Sequence, residues 1–214
     1  MEDQMEEIKI LFVGEKGEGK TSIIKRFEDG TFKENLSAAT EIKGSGKTVK
    51  FNNGSTIKII SYEKGNLDNL ETIKDFQAIV LVYSQDDPIF NYSDLINDSL
   101  KPIKENADEN AIIALALNKS DILGNKEFNE KEGKSRAKNE NVLFFSTSAK
   151  KNEGIAELYG GIIRKIKGWD ERVKLEGEKN DDEIKQKIEQ KTEEKTDKKN
   201  NEKVEKKCCW DCFK

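Results

Sequence analysis

The sequence predicts an α/β fold, a mostly parallel sheet with helices on both faces, and three observations carry that expectation. Short apolar runs of strand length alternate along the chain with segments of helical spacing. Several of these runs are apolar throughout, the pattern of a strand buried on both faces. Distinctive polar or glycine-rich strings follow the first, fifth and sixth runs, at the strand ends where an open parallel sheet holds its ligands.

The elements follow in order. Ile8-Lys9-Ile10-Leu11-Phe12-Val13 ends at Gly14 and reads as a buried strand. After a glycine-rich turn, Ile23, Ile24 and Phe27 mark the inner face of a helix. Val49 and Phe51 alternate with lysines, Asn53-Gly54 is a favoured hairpin turn, and Thr56–Ile60 supplies the returning strand. Ala78–Tyr83, Ala111–Leu117 and Val142–Thr147 are three more buried strands. Between them Leu95, Ile96, Leu100 and Ile103 have helical spacing, and Glu127–Asn139 is a polar helical segment expected to break at Gly133. Ile155, Leu158, Tyr159, Ile162, Ile163 and Ile166 form the clearest amphipathic stripe.

Composition sets the boundaries. The 214 residues are 37% charged and 34% hydrophobic, against about 25% charged in an average globular domain. From Asp170 to Lys207 only five of 38 residues are apolar, too few to offset the entropy of ordering them. Residues 1–168 therefore read as one domain, and 169–214 as a disordered, flexible charged tail. The longest apolar runs fall far short of the roughly 20 residues of a bilayer helix. Met1-Glu2-Asp3-Gln4 lacks the apolar stretch of a secretory signal, and Glu2 stands where myristoylation needs a glycine. A net charge of −4 and the absence of histidine argue against a nucleic-acid partner, histidine catalysis and a histidine-ligated zinc.

The strongest chemical signal is Gly14-Glu15-Lys16-Gly17-Glu18-Gly19-Lys20-Thr21, followed by Ser22. It fits G-x-x-x-x-G-K-[ST] and stands between a strand and a helix. Glycines let backbone N–H groups wrap phosphates, and the helix N-terminus adds its positive end. Lys20 can reach the β- and γ-phosphates, and the Thr21 hydroxyl can ligate Mg²⁺. The second signal is Asn118-Lys119-Ser120-Asp121, where a carboxylate can accept two hydrogen bonds from the N1–H and exocyclic amine of guanine. The third is Ser148-Ala149-Lys150, where a backbone N–H can meet the guanine O6. Each short string alone is common in polar loops. Three at the ends of the first, fifth and sixth strands point to a guanine nucleotide.

With Lys25-Arg26-Phe27, Val80-Leu81-Val82-Tyr83 and Phe144–Lys150 added to these motifs, the chain from about 8 to 168 resembles the Ras superfamily of small GTPases, the Rab family most closely. The resemblance implies the P-loop small-GTPase fold, a six-stranded sheet flanked by five helices, with GTP or GDP and Mg²⁺ as ligands. By position Phe32 resembles the aromatic that lies against the guanine edge; a core aromatic is the alternative. The family's metal-sensing switch I threonine falls on Ala39 counted from Thr21 and on Thr40 counted from the hairpin turn, and only Thr40 has the hydroxyl.

The switch II region departs from the family. In place of Asp-Thr-Ala-Gly-Gln stands Ser61-Tyr62-Glu63-Lys64-Gly65-Asn66-Leu67. One alignment puts Glu63 at the aspartate and Leu67 at the glutamine; a one-residue slide puts Tyr62 and Asn66 there instead. Neither restores the residue that orients the attacking water, so no catalytic residue is assigned. The segment to Tyr83 is also short, which implies a truncated switch II helix. Lys16 adds bulk where substitutions in relatives often impair hydrolysis.

All three cysteines lie near the end of the tail: Cys208, Cys209 and Cys212. An odd count in a flexible setting argues against disulfides, and zinc would lack a fourth ligand. In the resemblance, Cys208 and Cys209 are geranylgeranyl acceptors, two chains giving stable anchoring. Five residues follow the pair, more than the usual Rab ending, and Cys212 is one place too late for a C-a-a-X box; palmitoylation of some cysteines is the alternative. The resemblance thus implies a vesicle-traffic switch on the cytoplasmic face of an intracellular membrane, with a cytosolic pool and with effector and exchange proteins as partners. Two readings stay open: slow GTP hydrolysis, or a pseudo-GTPase that recruits partners without useful hydrolysis.

Overall fold

The computed structural model describes residues 5–34, 44–65, 73–84, 95–122, 126–176 and 178, with side chains left out at 95–97 and 126–129. Among the described residues six strands form one sheet: β1 (Glu7–Val13), β2 (Gly44–Lys50), β3 (Thr56–Lys64), β4 (Ala78–Ser84), β5 (Ile112–Asn118) and β6 (Leu143–Ser146). Their spatial order is β2-β3-β1-β4-β5-β6. Within it the β2–β3 hairpin is antiparallel; β1 pairs in parallel with β3 and β4, and β4, β5 and β6 continue in parallel. This is the α/β architecture that the alternation of runs predicts.

Because strand side chains alternate between faces, β1 feeds two cores. Ile8, Ile10 and Phe12 pack with Ile23, Phe27, Tyr159 and Ile162 on one face. Leu11 and Val13 pack with Ile79, Leu81, Ile103 and Leu115 on the other. Every residue of β4 is buried, as a doubly covered strand requires.

Four α-helices lie among the described residues: α1 (Lys20–Asp29), α2 (Lys101–Asn106), α3 (Lys126–Asn139) and α4 (Ile155–Lys167). The α2 helix continues a π-helical turn at Leu95–Leu100, and Pro102 stands within its first two residues. The expected switch II helix falls on residues outside those described. None of the helices described is long and apolar enough to cross a membrane.

Three expectations are corrected. The α3 helix runs unbroken through Gly133. A Cβ there would stand 2.4 Å from the Phe144 ring and 2.9 Å from the Tyr83 hydroxyl, so the glycine serves a close approach of helix to sheet rather than a break. The returning strand of the hairpin extends past Ile60 to Lys64, which carries Glu63 to the carboxyl end of the sheet. Residues 169–176 and Glu178, read from composition as the start of the tail, pack on the domain. Leu175 bridges Phe51, Trp169 meets the Phe51 ring edge-on at 5.2 Å, and Glu178 pairs with Arg164 at 2.7 Å. Leu175 and Trp169 supply the apolar area that an average over the charged stretch conceals.

Candidate functional site

Three loops leave the carboxyl ends of β1, β5 and β6 and meet over one cleft. The first, Gly14 to Gly19, turns from β1 into α1. Gly19 caps the helix at φ 90°, and a Cβ there would sit 2.3 Å from the Asn118 amide nitrogen. The loop therefore closes against its neighbour only with glycine. No acidic residue of α1 itself stands in its first turn.

Lys20 is buried, and its ammonium donates to the carbonyls of Gly14 at 2.9 Å and Glu15 at 2.7 Å. Burial pushes its pKa down, opposed by the carboxylates of Glu63, Glu18 and Glu15. The loop's own carbonyls thus hold a partly desolvated cation at its centre. Beside it the Thr21 hydroxyl donates to Glu63 Oε2 at 2.6 Å. Glu63 is buried, near the end of β3, whereas its neighbour Tyr62 points to the opposite face and meets the Phe76 ring edge-on at 5.1 Å.

The second loop follows β5. The buried Asn118 donates through Nδ2 to the Glu18 carbonyl at 2.9 Å and accepts from the Thr147 hydroxyl at 3.3 Å, so one side chain ties all three loops together. Lys119 adopts φ 58°, a left-handed conformation uncommon for a lysine. In the third loop the Ser148 hydroxyl donates to Asp121 Oδ1 at 2.6 Å and accepts the Lys151 backbone N–H at 3.1 Å. A second carboxylate oxygen of Asp121 stays available at the cleft wall.

The cleft has a volume of about 260 Å³. Of the residues singled out from sequence, Gly17, Gly19, Ser22, Phe32, Asn118, Lys119, Asp121, Ala149 and Lys150 line it. Gly14, Glu15, Lys16, Glu18, Lys20, Thr21 and Ser148 are not in its wall; Lys20 and Thr21 stand beside the phosphate loop, and Ser148 stands behind Asp121. Phe32 lines the cleft and also packs on the core edge. Thr40, Asn66, Leu67, Cys208 and Cys209 lie outside the described residues.

Glu34 and Ile122 also line the cleft and escaped the sequence reading, while Thr147 and Arg26, which brace it, entered that reading only as parts of the resemblance, with no role given. Their only signal was nearness: Glu34 two residues past Phe32, Ile122 next to Asp121, Thr147 next to Ser148. Thr21 and Glu63 offer adjacent hard oxygen donors, a set that suits Mg²⁺, which takes one or two protein ligands and completes its shell with phosphate and water.

Comparison with known proteins identifies the family. The sequence profile of the Ras family matches residues 9–168. The Ras-related protein RabC of Dictyostelium discoideum is 26% identical over 164 residues, 74% of this chain and 83% of its own. RAB1BV of Beta vulgaris is 29% identical over 167 residues, covering 75% and 76%. Human Rab-22A is 25% identical over 180 residues, covering 81% and 91%. With the family match running from within β1 to just past α4, the chain belongs to the Ras family and is a Rab-like small GTPase.

Proposed function

We propose that this chain binds GTP and GDP with Mg²⁺ and works as a membrane-recruited switch in vesicle traffic that hydrolyses GTP slowly. One observation supports the reading: three loops converge on one cleft lined by Gly17, Gly19, Asp121 and Lys150, with Lys20 held by the carbonyls of the first loop just outside its wall. Backbone N–H groups of Gly14 to Gly19 and the start of α1 take the phosphates. Lys20 exchanges its two carbonyl partners for phosphate oxygens, and Asp121 accepts from the guanine N1–H and amine. Ala149 offers its N–H to O6, while Phe32 and Lys119 flank the ring. Thr21, Glu63 and Thr40 hold Mg²⁺, which when bound neutralises charge on the β- and γ-phosphates.

Slow hydrolysis follows from the absence of glutamine at Asn66 or Leu67, which leaves the attacking water without an orienting amide. Glu63, rather than Tyr62, faces Thr21, which favours the alignment that puts Leu67 at the glutamine position. The same substitution supports the second reading, a GTP-loaded recruiter without useful turnover. Lipidation of Cys208 and Cys209 would hold either form at the cytoplasmic face of an intracellular membrane. There it would meet effector and exchange proteins, with a cytosolic pool in equilibrium.

Single-turnover hydrolysis of bound GTP tests the proposal. The expected rate is below the ~10⁻⁴ s⁻¹ scale of an intact small GTPase; an ordinary rate overturns slow turnover, and failure to bind GTP overturns the whole reading. Leu67→Gln is expected to raise the rate if the remaining geometry is sound. Changing Cys208 and Cys209 to Ser is expected to move the protein from membrane to cytosol.

A further inference from the structure

We propose that Arg26 is a positioning residue for the nucleotide base, clasping the two walls of the cleft together, with the Lys150–Glu34 ion pair as an outer tether. The proposal rests on the reading of the cleft as a guanine site.

Arg26 stands in the last turn of α1, at the opposite end of that helix from the glycine-rich loop. Its guanidinium donates through Nε to the Ala149 carbonyl at 2.7 Å, through Nη2 to the Lys150 carbonyl at 3.3 Å, and through Nη1 to the Gly30 carbonyl. Its central carbon lies 5.8 Å from the centre of the Phe32 ring. One planar cation therefore bonds the loop after β6, closes the end of α1 and supports the aromatic wall. Binding the Ala149 carbonyl fixes the plane of the 149–150 peptide and with it the direction of the Lys150 N–H. Outside this clasp, Lys150 Nζ donates to Glu34 Oε1 at 2.8 Å, and both residues line the cleft.

For a base to leave, the Phe32–Glu34 wall and the Ala149–Lys150 wall must part. Bonds that join the walls then act chiefly on the dissociation rate. Lysine cannot replace the clasp, because a single ammonium does not present a coplanar fork to two carbonyls while covering a ring face. The outer ion pair is exposed, so its share is screened by salt.

The test is GDP release from the full chain and from R26Q, R26K and E34Q, with Mg²⁺ and with a chelator, at low and high salt. R26Q is expected to release GDP ~10-fold faster, and R26K at least ~3-fold faster. The factor should be the same with and without Mg²⁺, because the clasp acts at the base end. E34Q should release faster at low salt and converge with the parent at high salt. A folded R26Q that releases GDP within twofold of the parent overturns the proposal. If R26Q does not fold, R26K at the parental rate overturns it, and so does an acceleration that vanishes on chelation. E34Q at the parental rate in low salt removes the outer tether. A parent that binds no guanine nucleotide overturns the cleft reading and this inference together; a parent that binds, with variants unchanged, overturns this inference alone.

Discussion

Glu63 is one methylene longer than the aspartate that the Ras family resemblance sets at its position, and its carboxylate still meets the Thr21 hydroxyl at 2.6 Å. Buried beside Lys20, it gives the site a counter-charge that an incoming phosphate must displace. Glu63→Gln keeps an acceptor for Thr21 but removes that charge. It should flatten the Mg²⁺ dependence of GDP release, read as the ratio of release rates with and without chelator. At the base end, Asp121→Asn turns an acceptor into a donor facing the guanine amine, and should weaken GTP binding ~100-fold while favouring xanthine nucleotides; competition between the two triphosphates checks it. The string that holds Asp121 was legible because it is continuous and its chemistry demands particular side chains, whereas Glu63 stood in one of two open alignments until its carboxylate was found against Thr21. The clasp was not legible. Arg26 and Ala149 stand 123 residues apart, and nothing in either local string announces the other.

At the scale of elements, α1 is fastened to the hairpin by polar and aromatic contacts together. Lys47 on β2 donates to the Phe27 carbonyl at 2.6 Å and lies 5.0 Å from the Phe27 ring centre. Phe27 in turn stacks on Tyr159 of α4, whose hydroxyl shares a hydrogen bond with Ser61 of β3 at 3.0 Å, buried where the phenol stays protonated. Nearby Glu28 accepts from the Ser45 hydroxyl, and burial, the larger effect, raises its pKa. A carboxyl with a folded pKa above its unfolded value costs stability once both states are ionised, and costs nothing where both are protonated. Glu28→Gln should therefore raise the melting temperature at pH 7 and lose that advantage near pH 4, as thermal unfolding at the two values would show. For α3, Gly133→Ala gains up to about 1 kcal/mol of helix propensity but forces a methyl against Phe144 and Tyr83, an overpacking that costs about 1–3 kcal/mol. Net destabilisation in urea is the expected outcome. Propensity read this glycine as a break because the ring it accommodates belongs to β6, and the sequence alone does not show which strand a helix will cover.

For the molecule as a whole, the succession of strands and helices along the chain followed from alternation and length, whereas the end of the packed chain did not. Val173 and Leu175 are sparse among charges, and their burial depends on Phe51 and Arg164 being in place to receive them. The Arg164–Glu178 pair is nearly closed to solvent on the glutamate side. Glu178→Ala strands a guanidinium in a partly buried place, at a cost of the order of 3 kcal/mol. A chain ended at 168 should unfold at lower temperature than one ended at 178, and differential scanning calorimetry of the two would show it. The bridge at Leu175 also has a topological consequence. β2 is a border of the sheet, and where it ends the backbone of Lys50 and Asn52 bonds Glu176 and Lys174, an antiparallel bridge centred on Phe51 and Leu175. It closes off part of a margin that would otherwise offer free N–H and C=O groups to any extended chain nearby. Removing residues 169–178 would thus do more than loosen the fold: it would open a template on which two copies could pair edge to edge and precipitate.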